Sequence, residues 1–199
     1  MLSVFVVMAL VTGCGSDTKK SDAKVLRIGT NADFAPFEFQ DVDGKEYVGF
    51  DMDLARAIAK EMGYQADIQN VNFDGLIPAL EAGNIDMIIS GMTVTEERKQ
   101  KVAFSKPYYQ SGLTFVVRND NDTIKSFKDL EGKTIAVQIG TTGANKAKEI
   151  KDATVKEFNS SADTFLELKA GGVDAVVNDR PVNDYFLAQG GTKDAKTFP

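Results

Sequence analysis

The residues best equipped for chemistry lie in Ser90-Gly91-Met-Thr93-Val-Thr-Glu96-Glu-Arg98, directly after the apolar run 85–89. Thr93 and Glu96 have capping-box spacing and predict a helix start. Free N–H groups over Ser90 to Thr93, the Thr93 hydroxyl and the Arg98 guanidinium together suit a carboxylate, with arginine supplying a two-pronged donor. Arg98 paired with a neighbouring glutamate on a solvated helix face is the plainer reading. Gly140-Thr141-Thr142-Gly143 follows another apolar run and offers a second small-residue turn whose N–H groups accept anions. It carries no Gly-Lys-Ser/Thr phosphate loop, and an ordinary strand-to-helix turn has the same composition. Asn178-Asp179-Arg180-Pro181 leaves a carboxylate after a third apolar run, suited to an ammonium group or to capping the helix that Pro181 opens. Phe34 and Phe73 stand beside turn residues, where a ring either covers a ligand or joins the core; Phe34 is the better candidate for a cover, while Phe37 and Phe39 are expected to pack.

Composition removes much of the rest of enzymology. The chain has no histidine, which excludes Ser-His-Asp and Cys-His nucleophiles and histidine-based metal sites. Neither a metal nor a cofactor is expected. With 23 Lys+Arg against 29 Asp+Glu, the net charge of −6 argues against nucleic acid and against an anionic membrane surface as partners. A content of 43% hydrophobic and 26% charged residues is that of a globular protein with real cores. The expected partner is small or uncharged overall.

The first residues have a different character. Residues 2–11 are apolar except for Ser3, a length that fits the hydrophobic region of a signal peptide better than a membrane span of about 20 residues. Val11-Thr-Gly-Cys14 and the polar stretch after it resemble the lipobox and tether of a bacterial lipoprotein, although no Lys or Arg precedes the apolar run. On this reading residues 1–23 are leader and tether, Cys14 carries the lipid, and the chain is anchored at the extracytoplasmic face of the membrane. A buried N-terminal element with an incidental cysteine is the alternative.

The elements that must position these residues form an α/β pattern. Strands are predicted over 25–30, 66–71, 85–90, 113–117, 134–138, 154–158 and 173–177. The segment 51–62 reads as a helix with acidic residues at its start, one apolar face and a stop at Gly63. Leu80-Glu-Ala-Gly-Asn-Ile-Asp-Met-Ile-Ile-Ser90 matches Leu168-Lys-Ala-Gly-Gly-Val-Asp-Ala-Val-Val-Asn178 without a gap. Each copy reads as helix, glycine stop and buried strand. Val25 to Thr30 and Ile135 to Thr141 echo one another in the same way, each strand running into Gly-Thr. Two similar lobes are implied, with a crossing near 107–112, although two generic β-α units would share some of these residues. Ligands of open α/β sheets bind beyond the carboxyl ends of strands, so facing lobes create a cleft lined by the residues singled out above.

In combination, Phe34-Ala-Pro-Phe-Glu-Phe39, Gly49-Phe-Asp-Met-Asp-Leu54, Phe73-Asp-Gly-Leu-Ile-Pro-Ala-Leu80, Ile85 to Arg98, Phe104-Ser-Lys-Pro-Tyr-Tyr109 and Asn178-Asp-Arg-Pro181 resemble the polar amino-acid-binding proteins of ABC importers. These are extracellular solute-binding proteins of family 3, and the resemblance covers about 24–190. It implies a two-lobed Venus-flytrap fold of the type II periplasmic binding proteins, here with lobes at 24–110 and 111–199. It implies that Arg98, the Thr93 hydroxyl and main-chain N–H groups near Ser90, Gly91, Thr141 and Thr142 bind an α-carboxylate. Asp179 takes the α-ammonium, and Phe34 and Phe73 sandwich the side chain. Asn31, Asp33, Gln138 and Asn178 lie where side-chain specificity is set. Asp33 and the Gln138 to Gly143 turn look like those of members that take basic amino acids, while Asn31, Gln138 and Asn178 also serve an amide. The implied partners are an L-amino acid such as arginine, lysine, histidine or glutamine, and a permease; a monomer is expected. A cyclohexadienyl dehydratase-like enzyme with Glu38 or Asp33 as acid or base, and the ligand-binding domain of a sensor, are the rival readings on the same fold. Family members return to the first lobe with a C-terminal segment, so a chain ending at Pro199 is expected to be a fragment that exposes apolar surface.

Overall fold

The computed structural model describes residues 24–199. The apolar run 2–11 and Cys14, on which the signal-peptide and lipid-anchor expectations rest, lie outside the described residues.

Lys24–Thr30 forms β1, and it pairs in parallel along its whole length with β5 (Tyr64–Asn70), from Lys24 opposite Tyr64 to Thr30 opposite Asn70. A parallel pair needs a long crossover, which helix α1 (Phe50–Glu61) supplies. Ala55 and Ala59 on its apolar face pack on Leu26, Ile28 and Ile89. Gly49 precedes the helix at φ 117°, and a Cβ there would lie 2.4 Å from the Phe37 carbonyl oxygen, so only glycine lets α1 start so close to the loop it crosses. The third strand of this sheet, β6 (Met87–Ile88), pairs in parallel with the other side of β1.

The second sheet is larger and mixed. Its order is β11-β7-β10-β8-β9, where β7 is Leu113–Arg118, β8 Thr134–Gln138, β9 Thr154–Phe158, β10 Ala175–Asp179 and β11 Ala195–Phe198. β8 runs parallel to β9 and β10, whereas β7 runs antiparallel to β10 and β11. Helices α4 (Thr142–Lys148), α5 (Ser161–Lys169) and α6 (Arg180–Ala188) cover its faces. One face is built on Phe115, Val117, Ile135, Val137 and Val177, the other on Val116, Ala136, Phe165, Leu168 and Val176. This is the continuous Val/Ile pattern of strands buried on both sides. A third, small antiparallel sheet joins β2 (Asp33–Phe34), β3 (Glu38–Gln40) and β4 (Tyr47–Val48). Phe37 of this region packs into the second sheet's core, and Phe39 lies 6.0 Å from the ring of Tyr185. The two lobes are thereby in contact.

The internal repeat is structural. Gly83 and Gly171 both take left-handed backbone (φ 72° and 77°), after α2 (Leu76–Glu81) and α5 respectively. Asp86 then accepts the Arg27 N–H at 2.9 Å, and Asp174, its counterpart, accepts the Thr134 N–H at 2.8 Å. In both lobes the main chain of the same aspartate also donates back, to the carbonyls of Arg27 and Thr134. The repeated aspartate therefore clips the edge of one strand to the start of the next, which explains its place three residues after each glycine.

The predicted strand 85–90 is shorter in the structure. Its chain lies along β1 from Asp86 to Ile89, but only Met87–Ile88 complete a ladder, because among the described residues β6 has a neighbour on one side only. Its free side opens on a groove of about 870 Å³ walled by apolar residues that include Ile58, Met87, Ile89, Val94 and Phe104. The predicted strand 173–177 instead runs 175–179, since pairing with β7 extends to Asp179 opposite Leu113. β11 and the small β2–β4 sheet have no counterpart in the predicted strands.

Candidate functional site

The cleft forms where the carboxyl ends of β1, β6, β8 and β10 converge. β1 delivers Asn31, whose N–H donates to Ser90 Oγ at 2.9 Å. That hydroxyl in turn donates to Glu38 Oε1 at 3.0 Å, so the loop after β6 is tied to the loop after β1. Gly91 follows in left-handed conformation (φ 50°) and lies under the Phe34 ring, which a Cβ at that position would meet at 3.2 Å.

Arg98 sits in the short helix α3 (Glu96–Lys99). The cap of this helix is Thr95, not Thr93 as the spacing predicts: Thr95 Oγ1 accepts the Arg98 N–H at 3.2 Å. The shift frees the Thr93 side chain to face the cleft. The Arg98 guanidinium donates to the Thr93 carbonyl at 2.7 Å and, across the cleft, to the Gly140 carbonyl at 2.9 Å. It also lies 5.3 Å from the centre of the Phe73 ring, a cation–π distance. Burial pulls its affinity for a proton down, and Glu97 and Asp179 pull it back up. Among the described residues no side-chain salt bridge occupies Arg98, and the neighbouring Glu96 pairs with Lys99 instead.

The second lobe supplies the facing wall. Thr141 caps α4, accepting the Ala144 N–H at 3.1 Å and donating to the Gln138 carbonyl at 2.7 Å. Thr141 and Thr142 line the cleft. Asp179 occupies the N-cap position of α6 without making a capping bond, and it lines the cleft. Burial raises its pKa above the ordinary carboxyl value, opposed by a hydrogen bond from Ser111 and by the field of Arg98. Gln138 Nε2 donates to Asn31 Oδ1 at 2.6 Å, bridging the lobes.

The structure thus brings Asn31, Phe34, Phe73, Gly91, Thr93, Arg98, Gln138, Thr141, Thr142 and Asp179 onto one narrow cleft. Three sequence-predicted residues stand behind it. Ser90 makes the bonds given above. Asn178 donates to Ser161 Oγ at 2.8 Å and accepts the Asp179 N–H at 2.8 Å, holding the strand end that presents Asp179. Asp33 accepts the Ser161 N–H at 3.1 Å, a further bond between the lobes, and burial raises its pKa. Glu38 also lines the cleft, although its sequence context offers it only as a general acid or base. Asp51 and Tyr108, which reach the back of Gly91, carry no sequence signal: an acid in a helix's first turn and an aromatic near Pro107 are both commonplace.

The profile of the bacterial extracellular solute-binding proteins, family 3, matches residues 26–180. The chain belongs to this family. It is 44% identical over 164 residues to a probable histidine-binding protein of Campylobacter jejuni, an alignment covering 82% of this chain and 63% of that protein. It is 39% identical over 182 residues to the arginine-binding extracellular protein ArtP of Bacillus subtilis, covering 88% and 70%. An ancestral arginine-binding protein bound to arginine superposes with a TM-score of 0.85 at 46% identity, covering 87% of this chain and 78% of that one. The chain therefore spans just under two thirds of the length of the Campylobacter relative. These solute-binding proteins are named for binding, not for a reaction, and their type II two-lobed fold is the one described above.

Proposed function

We propose that this family-3 chain is an extracytoplasmic receptor that captures a polar L-amino acid, basic or amide, and hands it to an ABC permease. The supporting observation is one of charge and shape: a half-buried cation, Arg98, and a half-buried carboxylate, Asp179, face each other across a cleft walled by Phe34 and Phe73. A zwitterion of α-carboxylate and α-ammonium matches that pair. Each end meets the opposite charge in a partly desolvated site, where such contacts are stronger than in open water. The main-chain N–H of Thr142 and the Thr93 hydroxyl complete the carboxylate's shell, while Asn31 and Gln138 offer polar groups to the side chain. The relatives named for arginine and histidine support a basic side chain. We place the lobe boundary at 110/111 and the lipid on Cys14, supported by the Val11-Thr-Gly-Cys14 sequence.

Closure is the mechanism. The first lobe holds the carboxylate through Arg98, and the second meets the ligand with Asp179 and the turn at 140–142, so binding stabilises the closed arrangement by contacts that exist only there. The cleft is shut in the structure by Asn31–Gln138, Arg98–Gly140 and Asp33–Ser161 hydrogen bonds.

A thermal-shift screen of the twenty L-amino acids tests the reading, because a ligand of the native state raises the melting temperature. Stabilisation by arginine, lysine, histidine or glutamine is the expected result, and a cooperative melt unmoved by all twenty refutes it. Closure has its own test at Gly140, which holds φ 76° with Asp74 of the first lobe against it; a Cβ would lie 3.0 Å from the Asp74 Cβ. Gly140→Ala is expected to weaken arginine binding about tenfold by straining the turn and propping the lobes apart. Titration calorimetry giving an unchanged affinity would show that the lobes need not approach so closely.

A further inference from the structure

We propose that Glu38 and Asp51 share one proton, and that this proton holds the first-lobe wall of the cleft in its ligand-binding shape. Both side chains are buried, at 1% and 0% exposure. Asp51 Oδ2 accepts the Gly91 N–H at 2.7 Å and the Tyr108 hydroxyl at 2.9 Å. Glu38 Oε1 accepts the Ser90 hydroxyl at 3.0 Å. The other two oxygens, Glu38 Oε2 and Asp51 Oδ1, meet no donor among the described residues and are shut off from solvent. Yet the two groups stand against the same residue, Asp51 Oδ2 on the Gly91 N–H and Glu38 Oε1 3.7 Å from where a Cβ on Gly91 would lie, so that Asp51 acts on Glu38 both by its charge and as a hydrogen-bond partner. Ionised together, they are two adjacent buried anions with unsatisfied oxygens, an arrangement that costs far more than the fold can carry. One proton between them turns two orphaned acceptors into a donor and an acceptor and removes one of the two charges.

Glu38 is its holder, because two donors, the Gly91 N–H and the Tyr108 hydroxyl, already occupy Asp51 Oδ2. Burial, and then the Asp51 charge, keep the Glu38 carboxyl protonated well above the usual carboxylate range. The other groups facing the pair agree. Asp33 on β2 adds negative field, and Tyr108 is itself held in its protonated, donating form by burial and by Asp51. Arg98 and Asp179 share the cleft with Glu38 and face each other across it.

The consequence reaches the ligand site. The pair anchors Gly91 directly and Ser90 through its hydroxyl, and Ser90 anchors Asn31. Loss of the proton drives the carboxylates apart and releases the loop that leads to Thr93 and Arg98, the groups that meet the α-carboxylate. Glu38 and Asp51 are therefore positioning residues, and binding weakens as pH rises through the raised titration range of Glu38.

The proposal rests on the amino-acid-binding reading and is tested with arginine and the variant Glu38→Gln, whose amide keeps a permanent donor toward Asp51 and an acceptor for Ser90. Affinity is compared at about pH 6 and about pH 9, a span that includes strongly raised buried carboxyls. The wild type is expected to lose about tenfold in affinity at the higher pH and Glu38→Gln no more than about twofold, while Glu38→Ala binds poorly at both. The ligand's own ammonium titration is common to all three. Parallel profiles for wild type and Glu38→Gln, or Glu38→Gln binding no better than Glu38→Ala, overturn the proposal. A second readout needs no ligand: the infrared carbonyl band of a protonated carboxyl is expected at neutral pH in the wild type and absent from Glu38→Gln. If arginine fails to bind at either pH, the amino-acid reading falls, and the band alone decides whether the proton is shared; a wild type without the band overturns that too.

Discussion

Arg98→Ala is expected to abolish measurable amino-acid binding. Truncating one member of a desolvated, hydrogen-bonded charge pair costs about 2–5 kcal/mol, which weakens affinity by roughly 30-fold to a few thousandfold. Arg98 belongs in the upper part of that range. Its guanidinium is oriented by the Thr93 carbonyl and stacked on the Phe73 ring, so the prongs it offers a carboxylate are fixed before the ligand arrives. Arg98→Lys keeps the charge but loses the planar fork and the stacking, and is expected to fall between wild type and alanine. Titration calorimetry with arginine decides the matter: a Kd within threefold of wild type for Arg98→Ala would mean that the α-carboxylate is held elsewhere. Because Arg98 also bonds the Gly140 carbonyl, the alanine variant should in addition leave the ligand-free lobes less firmly closed, visible as a larger radius of gyration in solution scattering.

Asp179→Asn should separate function from stability. The asparagine keeps the shape of the N-cap residue of α6, which makes no capping bond in any case, but it removes the charge that meets the ammonium. Affinity for arginine is expected to fall by a similar 30-fold or more. The sign of the stability effect is the opposite. Burial raises the Asp179 pKa in the folded chain, so the folded protein loses stability as pH rises from the ordinary carboxyl range through that raised value. Asparagine has no such slope, and the ligand-free variant should melt at or above the wild-type temperature at neutral pH. The wild type should also bind arginine progressively less well on acidification, starting above the pH at which an unperturbed aspartate near 3.9 would protonate; Asp179→Asn should lack this dependence. A variant that both melts early and binds weakly would identify Asp179 as a structural residue.

The sequence reading succeeded where the controlling interaction is local. The strand 134–138 has the predicted bounds because Thr-Ile-Ala-Val is an unbroken β-branched or apolar run, and 154–158 because Val155 and Phe158 stand between turn residues and pair in register with it. The repeated glycine and aspartate could be read because a left-handed helix end and a strand-start clip each demand a residue type at a fixed offset. Positions at strand ends, such as Asp179 and Thr142, followed from topology alone. What remained hidden depends on contacts distant in sequence. β2 and β4 have two residues each, too few to show an alternation. Thr93 and Thr95 both have capping side chains, and the path of the chain after Gly91 chooses Thr95. Asp51 looks like any acidic residue at a helix start, where the dipole favours it, and only the approach of β3 and Tyr108 buries it.

The unequal sheets also set how the molecule breathes. Among the described residues, five strands with two buried faces make the second lobe one cooperative unit, whereas the parallel sheet of the first lobe has three strands, one of them a two-residue strand paired on one side. Amide hydrogen exchange should therefore be fastest, by sub-global opening, in α2, β6 and α3, and slowest in β7, β8 and β10. Those quick-exchanging segments carry Thr93 and Arg98, the residues that would hold the carboxylate. An amino acid clasped between them and Asp179 splints the softer lobe onto the harder one, and protection gained on binding should appear far from the ligand, along β6 and α2.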